Sequence, residues 1–336
     1  MAHGQTGQVS FDSGPLSLET VNDHPDELAA IGRALGENGT LLLWTCRTAQ
    51  GERGHAFVKA LEHASGAMVA ATTTLLGAQD KGGCWELDTQ IGRRETLVPL
   101  TPAGQMNYGG VMATFNGTNG DDTADATNGT LIGFTGGTAA ELQDATGDTF
   151  NPGGGADTVV ASSGDDTING FLGADSVDGG AGTDDTLLLT SGPFTDLASA
   201  TDGQLTNVEI INATSAIGTL NFANQTEGFI INGGPSFLNL TGSAGADTIT
   251  TGGSTDTITG FVGADSVNTG AGVDTLALAI PSTDLNSASD AQLVNVENVT
   301  LTAGGITLNL GNQSETFTAI TGSTGADDIT ATNQVD

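Results

Sequence analysis

Positive charge is what this chain of 336 residues has least of. Seven Lys and Arg stand against 40 Asp and Glu, a formal charge of −33. All seven cations (Arg33, Arg47, Arg53, Lys59, Lys81, Arg93 and Arg94) precede residue 95, as do the four His, both Trp and both Cys. From Glu95 to Asp336 there are 29 acidic residues and neither Lys nor Arg. Such a segment cannot neutralise itself through ion pairs, so it needs outside cations or stays expanded by self-repulsion. The missing basic stripe also excludes a nucleic-acid binder, which must meet phosphates. No apolar run reaches the roughly 18 residues of a membrane span; the longest, such as Leu41-Leu-Leu-Trp44, are strand length. Two cysteines, Cys46 and Cys84, are too few for a disulfide framework. Met1-Ala-His-Gly4 lacks the basic start and apolar stretch of a signal peptide, so any export is expected to run without a cleaved leader. Composition this acidic favours disorder, but 37 % hydrophobic content at regular Ile, Val and Leu positions argues for a folded chain.

What is present in abundance is glycine, 51 residues, and much of it is periodic. From Pro152 to Leu187 the aspartates Asp157, Asp166, Asp175 and Asp184 fall nine apart. Gly155, Gly164, Gly173 and Gly182 keep the same step, and Val159, Ile168 and Val177 follow two residues behind their aspartates. A second array from Gly242 to Ala277 carries Asp247, Asp256, Asp265 and Asp274, again nine apart, and a third opens at Gly322 with Asp327. Degraded copies sit at Gly117-Thr-Asn-Gly-Asp-Asp122 and around Gly147-Asp148. The spacers recur as well: Thr206-Asn-Val-Glu209 matches Val294-Asn-Val-Glu297, and the alternation at Ile306, Leu308 and Leu310 reads as a half-buried strand. The larger unit is an array plus a strand-rich spacer, about 80 to 90 residues.

Each nonapeptide offers a tight glycine turn, a carboxylate and a short Thr-Ile type strand. Glycine admits positive φ and aims carbonyl oxygens inward, and carboxylate plus carbonyl oxygens suit calcium, which takes about six to eight of them. One turn cannot supply that number, so an ion must sit between stacked turns. Two nonapeptides per coil would stack Asp157 over Asp175, Asp166 over Asp184, Asp247 over Asp265 and Asp256 over Asp274. The bland alternative is a β-solenoid whose aspartates only terminate turns; it leaves the absence of cations unexplained.

These arrays resemble the G-G-x-G-x-D-x-U-x repeats of the calcium-binding RTX (hemolysin-type) family. Gly179-Gly-Ala-Gly-Thr-Asp184 matches the full hexad, and Pro152-Gly-Gly-Gly-Ala-Asp157 and Gly242-Ser-Ala-Gly-Ala-Asp247 match most of it. Ser163, Phe171, Leu172 and Val262 depart from usual small positions, and Ser254 replaces a glycine in the Asp256 unit. Sites there are expected to be weaker or empty. The resemblance implies a parallel β-roll, Ca2+ as cofactor and type I export.

Residues before 95 read differently. Asp23-His-Pro25 suggests an Asp-capped helix with an apolar face at Leu28, Ile31 and Leu35. A buried strand over Thr40–Cys46, a helix over about Gly54–His63 and a strand over Met68–Ala71 follow, an α/β alternation with parallel strands. Cys46 falls just past a central strand end, where such sheets place chemistry, and His3 is a candidate base for it. The runs His3-Gly4, Leu41 to Cys46, Gly51 to Val58 and Gly82 to Leu87 resemble a bacterial domain of unknown function, distantly caspase-like, found at the front of large repeat-bearing surface proteins. That resemblance implies roles of base for His3 and nucleophile for Cys46. Because that domain begins upstream of its His-Gly, the strand carrying His3 is expected to be missing and the domain incomplete.

The reading is thus a mainly β chain: a small, incomplete α/β domain over 1–94, a linker over 95–115, and a calcium-binding β-roll or β-solenoid over 116–336. Its expected role is that of a calcium-binding repeat region in an exported bacterial surface or secreted protein. Its surface or matrix ligand is unknown, and a cysteine peptidase is the alternative. The candidate ligands are Asp157, Asp166, Asp175, Asp184, Asp247, Asp256, Asp265, Asp274 and Asp327.

Overall fold

A computed structural model describes residues 3–11, 14–36, 39–77, 83–89, 101, 113–190, 194–213 and 218–332. Most of the expected linker, and with it Lys81, Gly82, Arg93 and Arg94, lies outside them. The chain divides into two compact units: residues 1–117 with 123–151 and 161–166, and residues 118–122 with 152–160 and 167–336.

In the first unit, the strand expected to be missing is present. His3–Gln5, Gln8–Phe11 and Gly14–Ser17 form an antiparallel meander, which the tight turn at Gly7, φ 76°, makes possible. The first helix spans Pro25–Leu35 with Pro25 in its first turn, but Asp23 does not cap it. Asp23 closes a 3-10 turn, its N–H donating to Thr20 O at 2.9 Å, and His24 is left as the N-cap residue with no side-chain bond. Of the expected apolar face only Leu28 is buried; Ile31 and Leu35 are exposed. The reason is Gly32, whose backbone presses so closely on Ser65 that a Cβ there would lie 1.6 Å from the Ser65 carbonyl oxygen. The helix therefore meets its neighbour along Leu28 and Gly32 rather than along Ile31.

Strand Thr40–Leu42 runs parallel to Met68–Ala70, joined by helix Gly51–Ser65, the expected α/β crossover. That helix buries Phe57, Val58 and Leu61 against Val9, Val21 and Val69. The strand is shorter than expected: it ends at Leu42, and Cys46 lies in the turn beyond. The same unit contains parallel strands Thr114–Asn116 and Thr149–Asn151, whose Phe115 and Phe150 rings stack 5.1 Å apart.

The second unit is a parallel β-solenoid. Thr167–Asn169, Thr186–Leu188, Ile210–Ala213, Ile230–Gly233, Thr248–Thr250, Ser266–Asn268 and Leu293–Val294 pair in parallel along one face. The intervening strands build the opposite face in two stretches. Thr158–Val160, Ser176–Asp178 and Leu205–Thr206 form one; Gly218–Asn221, Leu238–Thr241, Thr257–Thr259, Thr275–Leu278, Asn298–Leu301 and Ala319–Thr321 form the other. Each short strand turns its middle residue inward, so Val159, Ile168, Val177, Ile249, Ile258 and Val267 make a stacked apolar core. This is the period-two pattern of half-buried strands, and each buried aliphatic contributes about 1.5–3 kcal/mol.

The spacers stack on the arrays rather than leaving the coil. Thr186 pairs with Ile210, Ile210 with Ile230 and Ile230 with Thr248, so one sheet passes unbroken through the first spacer while the opposite sheet is interrupted. In the second spacer Thr275 pairs with Asn298 and Asn298 with Ala319, so the unbroken sheet is the other one. The extra residues leave the coil as short helices, Thr195–Ser199 and Thr283–Ser287. Each is followed by a capping box, Thr201 with Gln204 and Ser289 with Gln292.

Candidate metal centre

The residue two before each inward aliphatic also points inward, and in the nonapeptides it is aspartate. Asp157, Asp166, Asp175, Asp247, Asp256, Asp265 and Asp274 are each at most 3 % exposed. They form ladders. The N–H of Asp157 donates to Asp175 Oδ1 at 3.0 Å, that of Asp247 to Asp265 Oδ1 at 3.0 Å, and that of Asp256 to Asp274 Oδ1 at 2.7 Å, each pair 18 residues apart. Three of the four expected stacks are therefore present.

The fourth is shifted. Thr167 pairs with Thr186 and Ile168 with Leu187, which puts Asp185, not Asp184, in the aspartate register. Asp185 is fully buried and Asp184 is exposed. The extra residue sits in the Gly182-Thr-Asp-Asp185 turn, where adjacent aspartates hide the slip from a count by nines. Asp327 is half-buried, accepting from Ile306 N at 3.1 Å and Ser323 N at 2.7 Å. Those bonds from Ser323 hold its carboxyl below the usual range.

The ladder also contains acids not among the candidates. Asp122 N–H donates to Asp157 Oδ1 at 2.8 Å, and Asp148 N–H to Asp166 Oδ1 at 2.6 Å. Glu209 Oε2 accepts the amide of Asp185 at 2.9 Å and Glu297 Oε2 that of Asp274 at 2.8 Å. The recurring Asn-Val-Glu of the spacers was the signal for these two: the glutamate prolongs the ladder where a nonapeptide aspartate is missing.

The second carboxylate oxygen separates two classes. In Asp175, Asp247 and Asp265 it accepts a local amide, from Leu172 at 2.7 Å, Ser243 at 2.7 Å and Val262 at 2.8 Å. In Asp157, Asp256 and Asp274 it is buried with no hydrogen-bond partner. Asp256 belongs to this class although Ser254 takes a glycine's place in its turn. Burial pushes Asp157, Asp247 and Asp274 above the usual carboxylate range and Asp175 and Asp265 up to about 6. Buried carboxylate oxygens without donors are costly, and no Lys or Arg follows Arg94 to compensate them.

The donor set fits a hard divalent cation. Asp157, Asp256 and Asp274 would supply the free carboxylate oxygens. Among the described residues no three His, Cys, Asp or Glu side chains converge on one point, so turn carbonyls would have to complete the shell. The turns are built for close stacking: Gly263, φ 80°, presses on the Gly245 carbonyl, where a Cβ would come within 2.3 Å. Residues 152–185 and 241–276 match the RTX calcium-binding nonapeptide repeat, and residues 1–112 match a domain of unknown function, DUF4347. The chain carries RTX calcium-binding repeats. These RTX arrays coincide with the buried aspartate ladders, whereas the spacer glutamates lie outside the matched residues. No curated protein and no solved structure matches the chain.

Cys46 lies elsewhere, in the first unit. It is 6 % exposed, its Sγ accepts the Leu76 amide at 3.2 Å, and burial pushes its thiol up to about 11. The His3–Gln5 strand runs against its turn: a Cβ on Gly4 would lie 2.9 Å from the Cys46 carbonyl oxygen. The side chain of His3 lies outside the described residues. A cavity of about 180 Å³ adjoins Cys46, lined also by Arg47, Gln50, Leu75 and Ala113.

Proposed function

We propose that the chain is the calcium-binding repeat region of an exported bacterial surface or secreted protein, serving as stalk, adhesin segment or matrix element. It folds on calcium outside the cell. The observation that carries this reading is the set of buried carboxylate oxygens without donors in a segment that has no cation of its own. Extracellular calcium modules bind at about 10⁻⁴ to 10⁻³ M, so a cytosolic chain is mostly unliganded and an exported one mostly filled. Binding to the native state adds to folding free energy. Circular dichroism of the whole chain in EGTA and in millimolar calcium tests it: equal β content in both would sink the proposal. That no described helix is long and apolar enough to cross a membrane is compatible with it.

The second reading is a caspase-like cysteine peptidase carried on the repeats. The approach of Gly4 to the Cys46 turn favours it; a buried thiol held protonated at neutral pH opposes it. Labelling with a thiol-reactive activity probe, beside Cys46→Ala, separates the two: equal labelling removes the enzyme.

A further inference from the structure

Within the first unit, two stacked turns lie partly outside the matched arrays. Gly147 presses on Asp165, where a Cβ would sit 2.0 Å from the carbonyl oxygen, and Gly164 presses on Thr146 at 2.2 Å from its carbonyl carbon. This is the glycine-on-carbonyl stacking of the nonapeptides in a segment, residues 144–148, that the repeat match does not reach. Asp148 is 1 % exposed. One oxygen accepts the Ala113 amide at 2.9 Å, while the other is buried and has no partner. Among the described residues, the charged groups that act most strongly on it are the acids Asp166, Asp144 and Glu141. The nearby guanidinium of Arg47 is engaged by the Gly136 carbonyl at 2.6 Å and by Glu141 at 3.4 Å.

We propose that these turns, Asp144–Asp148 and Ser162–Asp166, hold a divalent cation of their own, with Asp148 as its principal carboxylate and Asp166 as the stacked partner. The proposal rests on the calcium reading above but concerns a site whose principal carboxylate, Asp148, lies outside both array matches. Burial and the neighbouring acids disfavour a bare carboxylate at Asp148. An ion at its free oxygen, completed by turn carbonyls, supplies the missing positive charge. Asp148 also holds Ala113, which lines the cavity at Cys46. Ion binding therefore fixes one wall of that cavity and extends calcium dependence to the first unit.

Aromatic placement supplies a selective readout. Trp44 and Trp85 belong to the first unit, and no Trp or Tyr follows Tyr108. Terbium emission excited through tryptophan therefore reports ions near the first unit, while calcium calorimetry counts all of them. The whole chain is expected to sensitise terbium, to lose the emission on adding excess calcium, and to lack it in Asp148→Asn. That variant keeps an oxygen for the Ala113 amide, and its near-ultraviolet circular dichroism checks the fold. Asp265→Asn, in the second array, keeps the emission. If Asp148→Asn unfolds, Asp166→Asn is read in its place with the same expected loss. Native-strength emission from the variant overturns the site. So does an absence of emission from the native chain when calorimetry still records calcium uptake, which leaves the arrays' reading intact. No uptake at all overturns both.

Discussion

In the first unit Glu19 meets Arg53 at 2.7 Å and Glu141 meets Arg47 at 3.4 Å. In the second, Asp157, Asp175, Asp247, Asp256, Asp265 and Asp274 are buried in a sequence that offers no Lys or Arg. The α/β layer draws its counter-charges from its own chain and packs Phe57, Leu61 and Val69 into a conventional core. The solenoid has an equally regular core, yet interleaves it with carboxylates for which its own stretch of sequence offers no Lys or Arg. The contrast teaches that a β-solenoid's backbone ladder and apolar stack do not by themselves make it self-sufficient. On the calcium reading proposed above, its stability is set partly by solution composition.

Chelation should break the comparison most strongly. In EGTA the β signal of the solenoid is expected to fall while the helices Pro25–Leu35 and Gly51–Ser65 persist, read as loss of β ellipticity with retained helical signal. Each ion held at about ten times its Kd adds about 1.4 kcal/mol, so several together are comparable with the lower end of the roughly 5–15 kcal/mol margin of a domain. Next in size is a reversal of sign at Asp274. Asp274→Asn keeps an acceptor for the Asp256 amide but removes a buried charge. Thermal melting should show it stabilised in EGTA and destabilised in calcium, each by roughly 1–2 kcal/mol; the same sign in both media would detach that carboxylate from calcium.

Acid gives a smaller, graded version of the same effect. Asp175 and Asp265 have folded values of about 6, raised from the ordinary 3.8. Between those values the folded state binds more protons than the unfolded one, so its stability falls as pH rises. In EGTA, melting temperature should therefore climb as pH drops from about 6 towards 4; in calcium the trend should reverse, because protons compete with the ion. The smallest effect is expected at the exposed pair: Arg53→Ala should leave both melting and calcium response unchanged within error.

The nine-residue register was legible because glycine, aspartate and aliphatic positions repeat together. The register fixed which aspartates face inward and stack 18 residues apart. It failed at Asp184, where one inserted residue beside an identical neighbour moved the buried position to Asp185. Glu209 and Glu297 stayed hidden for a different reason: a longer side chain reaches the same amide from a motif with no glycine turn. The free oxygens of Asp157, Asp256 and Asp274 depend on whether a local amide turns towards them, a backbone detail no residue count contains. In the α/β layer, helix and strand alternation was visible, but the face of the first helix depended on the contact of Gly32 with Ser65, a tertiary fact.

The two spacers carry one further consequence. From Ser176–Asp178 to its counterpart Ser266–Asn268 the chain takes nine strand steps, and an odd number exchanges the two faces. The inserts Thr195–Ser199 and Thr283–Ser287 consequently leave the coil at opposite edges. Successive copies of the long repeat are thus related by a half-turn, like leaves set alternately along a stem. One insert therefore faces away from the next. Adding whole repeats would set the inserts alternately on the two edges of the coil rather than along one of them.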